Sequence, residues 1–150
     1  MKIFHQYGSK ERLFEMLNRV SNAPLNEALL PKEKKIEIIN DFVKYAGKRL
    51  GYTDNLPKIV LSNDEKEAET MHSFGKYTPI SKEIRVVIAN RNLADVLRTL
   101  AHEMIHHKQN LDGKLTSDSN KTGSPDENEA NSLAGVLLRD FGKNNSIIFE

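Results

Sequence analysis

The sequence contains no cysteine. That excludes disulfides and thiolate metal sites, and it leaves histidine, aspartate and glutamate as the ligand types on offer. No apolar run reaches the ~18 residues that mark a transmembrane helix, so no membrane partner is expected. Neither sign of charge prevails: 22 Lys and Arg stand against 21 Asp and Glu. There is no long basic run, so nucleic acid is not expected as a partner either. Met1 to Val20 is studded with charge and lacks the apolar core of a signal peptide, which points to the cytoplasm. There is no internal repeat. A chain of 150 residues suffices for one domain with a modest core.

What is present centres on Leu93 to Leu111, and within it on His102-Glu103-Met104-Ile105-His106. The stretch reads as a helix. At ~100° per residue, Leu93, Val96, Leu97, Leu100, Met104 and Leu111 share one stripe. His102 and His106 fall on the opposite side, at roughly 180° and 220° from Leu93. One face therefore packs on a core, while two imidazoles one turn apart point where a second element can close over a metal ion. Two such histidines can hold one zinc ion, and Glu103 can act on a water beside it.

The rest of the chain divides simply. Residues 1–31 read as an N-terminal helix, with Leu13, Phe14, Leu17 and Val20 at helical spacing, followed by a proline-containing linker. Residues 32–150 read as the main domain. It opens with a helix over Lys32 to Leu50, striped by Ile36, Ile39, Val43 and Ala46 and stopped by Gly51. A short strand follows at Lys58 to Ser62. The acidic Asn63 to Thr70 reads as a solvated loop or exposed helical turn. Thr70 to Tyr77 and Ile84 to Ala89 read as a hairpin, the second strand central because it is β-branched, the first at the edge because it contains Gly75. After the histidine helix comes a long polar loop, Asp112 to Ser124. Ser124-Pro125-Asp126-Glu127 is then a strong helix start, and that helix runs to about Phe141 with Gly142 as its stop. A last strand is a possibility at Ile147 to Phe149. The fold class expected is α+β: a small mixed sheet packed on the histidine helix and on a second, glutamate-bearing helix.

A catalytic zinc site takes a third protein ligand. Glu127 lies about 60° from the apolar face of the last helix and Glu129 about 100° from it, so Glu127 aims closer to the interior. A competing arrangement is a capping box, in which Glu127 bonds the Ser124 N–H and Glu129 is left as the ligand. Glu127 is the preferred choice. His5 and His72 read as surface or core histidines.

His102-Glu103-x-x-His106, followed by Glu127-Asn128-Glu129-Ala130-Asn131, resembles the pattern of gluzincin-type zinc metallopeptidases. The order of elements from Thr70 to Phe141 is similar to that of small zincins: the minigluzincins and the ImmA/IrrE-like and SprT-like groups. The residues around His102 also resemble zincins of tailed phages, which would place the protein in a host cytoplasm. The resemblance implies a zincin-like fold and zinc as cofactor. It implies His102, His106 and Glu127 as metal ligands, and Glu103 as the catalytic base acting on a zinc-bound water. Asn131 stands where an aspartate supporting a ligand histidine is common. A peptide or protein substrate would lie along the edge strand, here Thr70 to Tyr77. His72, Tyr77 and His107 qualify by type as oxyanion donors, with no choice among them. The alternative is a zinc-binding regulatory or interaction domain with little or no turnover.

Overall fold

A computed structural model describes residues 30–149. The expected N-terminal helix, carrying Leu13, Phe14, Leu17 and Val20, lies outside the described residues. Helix α1 spans Lys32–Leu50 and buries Ile36, Ile38, Ile39, Phe42, Val43 and Ala46. It stops where Gly51 turns left-handed, φ 84°, and returns its N–H to the Gly47 and Lys48 carbonyls. Strand β1, Lys58–Ser62, is buried at all but its first residue.

Helix α2, Glu65–Met71, is capped by the Asp64 side chain, which accepts from the Lys66 N–H, and it buries none of its residues. The acidic stretch is thus an exposed helix, and it displaces the start of the expected edge strand. His72 closes α2 in the left-handed region, φ 56°. Strand β2 runs only over Gly75–Thr78, not from Thr70. Strand β3, Glu83–Val87, occupies the centre of a three-stranded sheet ordered β1-β3-β2. β1 pairs with it in parallel and β2 antiparallel, with Gly75 opposite Val86 and Tyr77 opposite Ile84.

Helix α3, Leu93–Leu111, is capped by Asn92, whose side chain accepts from the Asp95 N–H. Eleven of its 19 residues are buried, so it is enclosed on more than one side. The sheet and α1 cover its apolar stripe. Helix α4, Pro125–Gly142, lies along its other flank. The core runs through Phe42, Ile59, Ile84, Leu97, Leu100, Met104 and Phe141, and Phe42 meets Phe141 edge to face at 5.1 Å.

The described residues end in a 3-10 turn, Ser146–Phe149, where the sequence suggested a strand. The turn tucks Ile148 into the core and lays the Phe149 ring on Gly142, where a Cβ would leave it no room. This reversal directly after α4 keeps the last residues on the helices. The architecture is therefore α+β: four α-helices and one small mixed sheet among the described residues. No helix among them is long and apolar enough to cross a membrane.

Candidate metal centre

Three side chains from two elements converge between α3 and α4. His102 and His106, one turn apart on α3, bring their Nε2 atoms to 3.1 Å from each other. Glu127, in the first turn of α4, places Oε1 3.0 Å from His102 Nε2 and Oε2 3.1 Å from His106 Nε2. The ligand atoms of all three lie within 4.8 Å of one another.

Glu127 reaches this position because only half of a capping box forms. The Ser124 hydroxyl accepts from the Glu127 N–H at 3.1 Å. The Ser124 N–H, however, is given to the Lys121 carbonyl, so the Glu127 carboxylate is not drawn back to it. Glu129 faces elsewhere: its Oε1 accepts from Gln109 Nε2 at 3.0 Å.

Gln109 sets the chemistry of His106. Its Nε2 donates to two obligate acceptors, the Asp126 carbonyl and the Glu129 carboxylate, both at 3.0 Å. Its Oε1 must then be the atom facing His106 Nδ1, at 2.7 Å, and that nitrogen must carry the proton. In the neutral ring Nε2 is left with its lone pair aimed at the cluster. The Asn131 side chain hydrogen-bonds His102. The histidine affinity for a proton is lowered at His102, first by burial and also by His106, while Glu127 and Asn131 oppose the shift.

This donor set suits a cation. Two imidazoles and a carboxylate bring lone pairs together in a half-buried place, and a positive species among them would relieve their mutual repulsion. Two histidines and one glutamate are donors that could hold a metal ion.

Glu103 stands beside this group without belonging to it. It is 8% exposed. Burial, and then the nearby Glu127, push its carboxyl up to about 8, against a hydrogen bond from the Tyr77 N–H of β2 that favours the charged form. Gly75 is the neighbour that makes room: a Cβ there would sit 2.5 Å from Thr99 Cγ2 and 3.3 Å from Glu103 Cγ. The edge strand is thus seated directly on the helix, over Glu103. A cavity of about 370 Å³ opens next to His106, walled by Tyr77, Asn110 and the loop residues Leu115, Thr116, Ser117 and Asn120. The loop is fixed through buried Ser119, whose hydroxyl donates to Asp126 at 2.6 Å and accepts from the Thr116 N–H. A larger groove of about 1000 Å³ lies at the opposite end of α3, around Leu93 and Ile36, away from these ligands.

The three oxyanion candidates are placed differently. His107 is fully buried, with Nε2 donating to the Asn55 carbonyl at 2.6 Å and Nδ1 accepting from the Tyr77 hydroxyl at 2.7 Å. The Tyr77 oxygen also accepts from Asn110 at 2.9 Å. These two residues bind each other and the β2 side of the core. His72 is exposed at the end of α2. Among the described residues, neither histidine joins the converging ligand group. His5 lies outside the described residues.

Sequence reasoning missed Gln109 and Ser119. Gln109 had a signal, since it lies three residues after His106 on the same helix face. Ser119 had none, because its partners come from a loop without periodicity. Comparison with protein-family models, curated proteins and solved structures gave no match to this chain.

Proposed function

We propose that this protein is a zincin-like zinc metallopeptidase, with His102, His106 and Glu127 as the metal ligands and Glu103 as general base. One observation carries the reading: a buried carboxylate held next to the ligand group but outside it, between that group and an edge strand. A site that merely holds metal has no use for Glu103. A bound zinc ion would supply the Lewis acidity that makes a water nucleophilic near neutral pH and polarises the scissile carbonyl.

The chain's own residues do the remainder. Gln109 Oε1 accepts from the His106 Nδ1–H, so Nε2 needs no tautomer change to act as a ligand. Glu103 accepts the proton of the attacking water and delivers it to the leaving amine. Burial raises its affinity for a proton, and positive charge at the ligand group would lower it again, toward the carboxylate that takes the proton. β2 has β3 as its one partner strand, so its other side is an edge along which an extended peptide can lie. The cavity beside His106 has no Lys, Arg, Asp or Glu on its wall, so it favours an uncharged side chain of the substrate.

Glu103→Gln tests the reading. The variant is expected to keep its fold and its zinc and to lose about 10²- to 10⁴-fold in peptide hydrolysis. Undiminished hydrolysis in this variant, or none by zinc-loaded wild type across a diverse peptide library, would contradict it.

A further inference from the structure

β2 has one partner strand, β3, and its other side is an edge. The Val87 N–H donates to the Phe74 carbonyl at 2.8 Å, and Phe74 is the residue opposite Val87 in the register that pairs Gly75 with Val86. Bonded and non-bonded pairs alternate along an antiparallel ladder. Phe74, Lys76 and Thr78 therefore turn their main-chain groups toward β3, and Gly75 and Tyr77 turn theirs outward. Those outward groups are what an added strand would use.

Three of these four groups are already taken. The Tyr77 N–H goes to Glu103. Both groups of Gly75 go to one side chain: the Ser73 hydroxyl accepts from the Gly75 N–H at 3.2 Å and donates to the Gly75 carbonyl at 2.8 Å. A side chain two residues upstream thus stands where the backbone of an incoming peptide would pair. The position matters because Gly75 lies against Thr99 and Glu103, so a strand paired with Gly75 runs past the general base.

We propose that Ser73 caps the edge on which the peptide substrate lies, and that productive binding requires its hydroxyl to rotate away from Gly75. The proposal rests on the metallopeptidase reading above. Ser73 is exposed, so water can take over its hydroxyl once it swings out. The peptide's main chain then replaces both bonds to Gly75. The cap favours substrates extended enough to make that exchange, and Ser73 acts as a positioning residue that sets substrate affinity and leaves the chemical step alone.

The test uses the full-length, zinc-loaded protein as wild type, Ser73→Ala, Ser73→Gly and Ser73→Thr. Three quantities are read: amide hydrogen exchange at Gly75, KM and kcat on oxidised insulin B chain, and the affinity of the fluorescein-labelled B chain for the same proteins carrying Glu103→Gln. Loss of the hydroxyl is expected to speed Gly75 exchange, to tighten peptide binding and lower KM by about three- to thirtyfold, and to leave kcat unchanged. Ser73→Thr, which keeps the hydroxyl, should behave as wild type. Unchanged exchange at Gly75 would show that no cap exists. Faster exchange with peptide affinity unchanged or weaker, while wild type binds and cleaves, would overturn the proposal and spare the metallopeptidase reading. Faster exchange with no binding or cleavage by any variant would remove both. Ser73→Gly serves in place of Ser73→Ala should the latter misfold.

Discussion

Gln109 is the residue on which the chemistry of the proposed metal centre turns. Its amide cannot be reversed, because both hydrogens are committed to the Asp126 carbonyl and the Glu129 carboxylate. The oxygen that remains fixes the proton on His106 Nδ1. Gln109→Ala should therefore bind zinc about 10- to 100-fold more weakly with little change in fold, as measured by competition with a chelator of known affinity. Glu129→Ala acts through Gln109 and should weaken binding less. Equal affinity in Gln109→Ala and wild type would show that His106 does not depend on this bond. Glu103 carries a second prediction at this scale. In the metal-free protein its carboxyl should titrate near 8, and zinc should move that titration down, observable as a shift in its carboxyl carbon resonance.

At the scale of elements, the contact between β2 and α3 decides whether Glu103 sits beside a strand edge. That contact depends on Gly75 having no side chain. Gly75→Ala would drive a methyl to 2.5 Å from Thr99 Cγ2 and should cost ~1–3 kcal/mol in denaturant unfolding. Gly75→Ala with Thr99→Ser, which removes the clashing methyl, should recover most of it. The helices α1, α3 and α4 were legible in the sequence because each carries a buried stripe at helical spacing and a recognisable stop or cap. The central position of β3 was legible from its β-branched run. α2 was harder, since a helix that buries nothing has no stripe to read, and its length pushed the start of β2 from Thr70 to Gly75. The closing 3-10 turn was misread because Ile147-Ile148-Phe149 is β-prone by composition, whereas its place is set by packing on Gly142. The histidine face was legible from the 3.6-residue period alone. Which glutamate would face it was only a preference. The decision lies in the loop, where the Lys121 carbonyl takes the Ser124 N–H and frees Glu127.

At the scale of the whole molecule, α3 is both the centre of the core and the carrier of the site, so stability and site geometry are coupled. Buried His107 links the two. Its affinity for a proton is lowered from the ordinary 6.5 by burial, against a hydrogen bond to Asn55 that raises it. Protonation would cost it the bond in which Nδ1 accepts from Tyr77. His102 is lowered as well, also by burial first. A histidine depressed in the folded state stabilises the fold fully above its unfolded value near 6.5, and that contribution is lost as pH falls through the folded value. In the metal-free Glu103→Gln protein, which lacks the opposing titration of that raised carboxyl, Tm should therefore be lower at about pH 5.5 than at about pH 7.5, with a shallower fall when His107→Gln is added. A flat Tm across that range would contradict the buried neutral imidazole.

The central claim, that His102, His106 and Glu127 together hold zinc, is met most directly by elemental analysis of protein purified without a histidine tag. Wild type, Glu127→Ala and Glu129→Ala are measured in parallel. About one zinc per chain is expected in wild type and in Glu129→Ala, and loss in Glu127→Ala. Wild type free of zinc even after incubation with excess metal, or Glu127→Ala holding as much as wild type, would contradict it.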